Sequence, residues 1–257
     1  IDRLNAIALP PAYEKAWFCK DSNGHLQATG IDARGRKQYR YHERFRARRD
    51  KKKYLGALEF GAALPKLRRK VAADLRKRGL SRDAVLAAVV RLLDTQYLRV
   101  GNEQYAKDNK SFGATTLRSH HVRRSGRRLM MRFKGKHGIV REVPITEANL
   151  KRIVGRCHEL PGRNLFQYIA EDGEVCAVTS ADVNDYIRDA TGGDFTAKDF
   201  RTWGASVIAF EQKLAAGFDN AKVVARFAGE EGTADPSYLD LSRDPSEVIE
   251  EAQRNRG

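Results

Sequence analysis

This sequence is poor in cysteine and has no long apolar run. Cys19, Cys157 and Cys176 are odd in number and widely spaced, with no Cys-x-x-Cys pair. That excludes a disulfide framework or a thiolate zinc site and reads as reduced, buried thiols in a cytosolic chain. No apolar stretch approaches the ~20 residues needed to span a bilayer. No basic helix pattern carries the broad apolar face that would let it lie on a membrane surface either. The first residues, Ile1-Asp2-Arg3-Leu4, lack a signal-peptide pattern. There is no Gly-rich phosphate-binding loop, and no carboxylate or His/Cys cluster with metal-ligand spacing.

Positive charge is what the chain has in excess. Its 48 Lys/Arg outnumber 33 acids, a formal charge of +15, which favours a polyanionic partner, nucleic acid before any other. With 41% apolar residues the chain can bury a real core. At 257 residues it exceeds the common single-domain size of roughly 100–150, so two domains are expected.

Residues 1–54 show scattered or alternating apolar positions, with turns at Ser22-Asn23-Gly24 and Arg34-Gly35. Short strands and a small β-rich domain are expected there. Its far end holds Arg36, Lys37, Gln38, Tyr39 and Tyr41. Between Arg34 and Lys53 eleven Lys/Arg face two acids. Tyr39 and Tyr41 stand two apart, which on a strand puts both rings on one face. Cations with aromatic rings beside them suit a nucleic-acid groove, although a solubilising patch with two half-buried tyrosines has the same pattern.

Residues 55–257 read as mainly helical. Leu64, Leu67, Val71 and Leu75 mark a helix over 60–78, stopped by Gly79. Ser81 caps a second helix whose buried stripe, from Val85 to Leu93, runs to Tyr97. Arg99 therefore falls where a buried helix runs out. Eight Lys/Arg and no acid follow between Lys110 and Lys134. Strands separated by turns at Ser125-Gly126 and Gly135-Lys136-His137-Gly138 put Lys136 at the tip of a β-hairpin, next to Lys134. Helices resume at Thr146, at Thr179 or Ser180, and at Thr196. On the last of these Lys198 and Arg201 are three apart and share a face, while Phe200 and Trp203 share an apolar one. Arginine offers a planar fork for phosphate oxygens and lysine a charge that can give up a proton. Beyond Gly229 the balance reverses, with eight acids against Arg243, Arg254 and Arg256.

Five stretches, taken together and in order, resemble the bacterial, poxvirus-like type IB DNA topoisomerases. They are His25 to Gly30, Asp32 to Tyr41, Leu98-Arg99-Val100-Gly101-Asn102-Glu103, Phe133 to Gly138, and Lys198-Asp199-Phe200-Arg201-Thr202-Trp203. The likeness covers roughly residues 1 to 210. It implies an α+β fold, in which a small β-rich N-terminal DNA clamp (1–54) precedes a larger, mainly α-helical catalytic domain with a β-hairpin (55–257). It also implies that Arg99 and Arg201 hold a scissile phosphate, that Lys136 protonates the leaving 5′-oxygen, and that Tyr238 attacks phosphorus to give a 3′-phosphotyrosyl link. Arg36, Lys37, Gln38, Tyr39, Tyr41, Lys134 and Lys198 would contact DNA. The expected partner is double-stranded DNA held by a monomer in the nucleoid, without a membrane, metal or nucleotide cofactor. Where the family usually has a histidine or asparagine, nine positions before the tyrosine, this chain has Gly229. Two other readings share much of this pattern: a tyrosine recombinase, and a DNA-binding clamp that has lost its chemistry.

Overall fold

The computed structural model describes residues 2–126 and 128–215, an α+β chain as expected. It divides into two compact units, Ile1–Leu58 and the residues from Glu59 onward.

The first unit opens with helix α1 (Asp2–Ala6). A three-stranded antiparallel sheet follows, made of β1 (Glu14–Phe18), β2 (Leu26–Ile31) and β3 (Lys37–Tyr41), with β2 in the middle. The central strand is buried from Gln27 to Gly30, while β1 and β3 are mostly exposed. The β2–β3 turn is organised by Asp32. Its Oδ1 accepts the amides of Arg34 and Arg36, both at 2.9 Å, and its Oδ2 accepts Arg36 Nε at 2.8 Å and Gln38 Nε2 at 2.9 Å. These bonds, the Arg36 side chain foremost, hold the Asp32 carboxyl well below the usual carboxylate range.

Helix α2 (Glu43–Leu75) starts far earlier than the spacing from Phe60 suggested, so residues 43–54 are helical, not strands and turns. The reason is local. Between Glu43 and Tyr54 there is no glycine or proline, and Arg, Lys and Ala are good helix formers. The charge run hid the apolar period there. Further along, Phe60, Leu64, Leu67, Val71 and Leu75 are all buried, as expected.

In the second unit α3 (Arg82–Gln96) is the central helix. Ser81 caps it, accepting the Ala84 amide at 3.4 Å, and its residues are buried from Ala84 to Val90. A short α4 (Glu103–Asn109) follows, capped by Asn102. The second sheet, order β4-β5-β6, comprises β4 (Val122–Ser125), β5 (Arg128–Lys134) and β6 (Val140–Ile145). On β5, Leu129, Met131 and Phe133 alternate inward with exposed Arg132 and Lys134. After α5 (Ala148–Glu159) come the two-stranded β7 (Gln167–Ile169) and β8 (Val175–Ala177), then α6 (Ser180–Thr191), capped by Thr179, and α7 (Ala197–Ala215). α3 packs against α5, α6 and α7, which is why its buried surface runs nearly all round.

A buried carboxylate ties α2 to α6. Asp74 Oδ2 accepts the Tyr186 hydroxyl at 2.7 Å and pairs with Lys70 at 2.8 Å, and its Oδ1 pairs with Lys77 at 2.7 Å. Burial raises its pKa, but these hydrogen bonds outweigh that and leave it lowered. All three cysteines are free, but only Cys157 is buried. Cys19 and Cys176 are half-buried because they sit on or beside edge strands, which corrects the expectation of three buried thiols. Among the described residues, no helix is long and apolar enough to cross a membrane.

Candidate active site

Arg99 is placed by the end of α3. That helix closes on Tyr97 in the left-handed region (φ 50, ψ 37), and buried Leu98 carries the chain away from the axis. The backbone on either side is then pinned to the segment after α4. Arg99 O accepts the Ala114 amide at 2.8 Å, and Val100 O accepts the Thr115 amide at 2.7 Å and its hydroxyl at 2.9 Å. The two segments pass so closely that a Cβ on Gly113 would lie 2.5 Å from Gly101 N and 2.6 Å from Arg99 O. Only glycine fits there, because the opposing atoms are backbone and cannot swing away.

Lys136 sits at the hairpin tip between β5 and β6, as the sequence suggested. Gly135 N donates to Ile139 O at 2.7 Å, and His137 (φ 61) and Gly138 (φ 78) make the reversal. Phe112 N donates to Lys134 O at 2.8 Å, which ties the end of β5 to the segment that also holds Arg99.

Arg201 lies in the second turn of α7. That helix is started by Asp199, whose Oδ2 accepts the Thr196 amide at 2.7 Å and hydroxyl at 2.9 Å, and by Asn184 Oδ1, which accepts Ala197 N at 3.0 Å. Phe200 is buried edge-on to Phe60, with ring centroids 5.0 Å apart. Arg201 is only 8% exposed, whereas Lys198 is exposed. The pair expected to share a face thus differs in exposure, because Arg201 lines a recess. One turn on from Arg201, a Cβ on Gly204 would lie 2.3 Å from Tyr97 Cε1. The Tyr97 ring therefore rests directly on the α7 backbone.

Arg99, Lys136 and Arg201 line one cavity of about 40 Å³, together with Arg141, His137, Tyr97 and the rings of Phe112 and Phe133. Small-molecule sites run to roughly 300–1,000 Å³, so this recess suits one charged group on a larger ligand. Among the described residues, no acid lines it. Four basic side chains gathered at one recess suit an anion, and arginine forks match phosphate oxygens. Arg141 was missed in the sequence. Its only signal was its place on the strand after the hairpin, opposite Phe133.

The wall behind the recess is aromatic. His121, 7% exposed, meets Phe112 edge-on at 4.4 Å and lies 6.2 Å from Phe133, while its Nδ1 accepts the Arg118 amide at 3.0 Å. Burial, then the charges of His120 and Arg118, push it down to about 4.

The other expected residues lie elsewhere. In the first unit Tyr39 and Tyr41 are 48% and 39% exposed, stacked with centroids 6.2 Å apart and planes 16° apart. Phe45 extends the row, 5.5 Å from Tyr41, and Lys37 lies over the Tyr39 ring. Arg36 and Gln38 are engaged with Asp32. Lys134 and Lys198 are exposed and do not line the cavity. Tyr238 lies outside the described residues.

His121 generates a pH prediction. In the fold it stays neutral down to about 4, whereas unfolded it takes up a proton near 6.5. The unfolded chain therefore binds more protons in that window, and stability falls as pH is lowered from 6.5 towards 4. His121→Asn keeps an acceptor for the Arg118 amide but does not titrate. Its thermal midpoint, followed by circular dichroism, should drop less than that of the unmodified chain over the same window.

Comparison with known proteins adds lineage to this geometry. Residues 42–232 match the family model described as eukaryotic DNA topoisomerase I, catalytic core, and residues 1–32 match that of the bacterial DNA topoisomerase IB N-terminal domain. The chain is 35% identical over 218 residues to DNA topoisomerase 1B of Acanthamoeba polyphaga mimivirus, covering 83% of this chain and 65% of that protein. It is 24% identical to DNA topoisomerase 1 of rabbit fibroma virus, covering 76% of this chain and 58% of the relative. Against DNA topoisomerase 1B of vaccinia virus (strain Copenhagen) it is 23% identical, covering 53% and 43%. The chain thus spans less than two thirds of the length of these relatives. With its core and its N-terminal stretch both matched, and with an arginine, lysine and arginine gathered from distant segments, the chain belongs to the type IB DNA topoisomerase family.

Proposed function

We propose that this chain relaxes supercoiled duplex DNA by cutting one strand, letting it swivel about the intact one and resealing it. The single observation that supports this is the gathering of Arg99, Lys136 and Arg201 around one small recess in a member of this family. In this reading a backbone phosphate enters the recess. Arg99 and Arg201 take its non-bridging oxygens and offset the charge that grows as phosphorus becomes pentacoordinate, the kind of electrostatic work that dominates phosphoryl transfer. Arg201 suits that task because its buried position leaves little reorganisation to be done during the reaction. The Tyr238 oxygen bonds to phosphorus and loses its proton to water. The P–O5′ bond breaks with its electron pair on O5′, and Lys136 supplies the proton that O5′ takes up. Reversal by the 5′-hydroxyl reseals the strand without ATP, since the tyrosyl ester conserves the bond energy.

The two domains are proposed as 1–54, a DNA clamp, and 55–257, the catalytic part, acting as a monomer on nucleoid DNA. Arg36, Lys37, Gln38, Tyr39 and Tyr41 would meet the duplex from the first, and Lys134 and Lys198 would hold phosphates flanking the recess. Paired exposed rings with cations beside them support that assignment. A second reading, a clamp without chemistry, draws on Gly229 and on the acids Glu230, Glu231, Asp235 and Asp240 near Tyr238 in the sequence.

Incubation with supercoiled plasmid in EDTA without ATP separates these. A ladder of topoisomers is expected, while binding without relaxation means the passive clamp. Tyr238→Phe should abolish the covalent adduct seen on denaturing gels and leave DNA binding nearly intact, and an adduct that survives refutes the nucleophile. Lys136→Ala should slow cleavage by about 10²–10⁴-fold, the usual worth of a general acid. A 5′-sulfur leaving group, which needs no proton, should restore the rate. Failure of that rescue removes Lys136 from the role.

A further inference from the structure

Arg141 reaches both ends of the problem of putting a lysine and an arginine at one phosphate. It lies on β6, paired across the hairpin with Phe133. Its side-chain stem covers the hairpin turn, with Cγ 3.5 Å from where a Cβ on Gly135 would stand, next to Lys136. Its guanidinium extends the other way, and Nη2 donates to Gln96 O at 3.1 Å. Gln96 is the last residue of α3, three positions before Arg99. The last carbonyls of a helix lack intrahelical partners and carry the negative end of its dipole, so a cation there is well placed on two counts. Arg141 itself lines the recess.

We propose that Arg141 is a positioning residue that fixes where Lys136 stands relative to Arg99. The proposal rests on the reading of Lys136 as the proton donor to O5′. Beyond the Lys134–Val140 pair the hairpin tip leaves the strand ladder and turns through two positive-φ residues, so tethers from neighbouring segments bear on where it stands. The β5 side is held by the Phe112 amide on Lys134 O. Arg141 supplies the matching tether on the β6 side. A proton donor must come within hydrogen-bond reach of the oxygen it serves, so a tip released on one side keeps its lysine but loses its aim. Lysine at position 141 would keep a cation for the Gln96 carbonyl but lose the planar fork.

The test uses the full chain on a duplex whose cleavage position has been mapped, with either oxygen or sulfur as the 5′ leaving atom. In both cases the tyrosine oxygen bonds to phosphorus and the bond to the leaving atom breaks, but only oxygen needs the proton. Arg141→Ala is expected to slow cleavage at oxygen by about 10²-fold, the scale of a misplacement near 1 Å, and to cleave the sulfur substrate at nearly the unmodified rate. Arg141→Lys should lose less and be restored likewise. If Lys136→Ala is not rescued by sulfur, the reading of the site has failed before Arg141 is reached. If Lys136→Ala is rescued while Arg141→Ala is equally slow on both substrates, or slow on neither, the positioning role is overturned. Should Arg141→Ala not fold, Arg141→Lys carries the same comparison, and equal loss on both substrates overturns the proposal.

Discussion

The second unit depends on holding Arg99, Lys136, Arg141 and Arg201 around one small recess. Like charges brought together repel, and side chains alone would splay apart into water. The fold resists this through backbone. The Arg99–Val100 backbone is clamped by amides from Ala114 and Thr115, Lys136 by the β5–β6 hairpin, and Arg201 by a helix seated on the Tyr97 ring. The places of these side chains are therefore set by backbone and core packing.

Each anchor has a further cause in packing. α3 is the most enclosed helix of the unit, so its end is a fixed point from which Tyr97, Leu98 and Arg99 emerge in order. Gly113 lets the next segment cross at backbone contact distance. Phe112 then serves two roles, bonding the end of β5 through its amide and walling the recess with its ring. His121 behind it stays neutral because burial and neighbouring cations disfavour its charge, which adds no further repulsion at neutral pH.

Much of this was legible in the chain. The apolar spacing gave α3, Ser81 its cap, the glycines about Lys136 the hairpin tip, and Thr196 the start of α7. What was hidden depends on contacts between distant segments. The early start of α2 was masked by charge, which carries no apolar period. The burial of Arg201 could not be read from its spacing to Lys198, because a helix face is wet or dry according to what stands opposite it. Arg141 looked like one more strand cation until its reach to the Gln96 carbonyl was seen. Tyr238 could be named from its place in the sequence, but its setting belongs to residues outside those described.

The most direct test of the account is whether Arg99 and Arg201 act on the same phosphorus, read from single-turnover cleavage by Arg99→Ala, Arg201→Ala and the double variant. Groups that serve one charge as a unit are strongly non-additive. The account predicts that the double variant is far less slow than the product of the two single losses. Strictly multiplicative losses would mean that the two arginines work independently, which contradicts it.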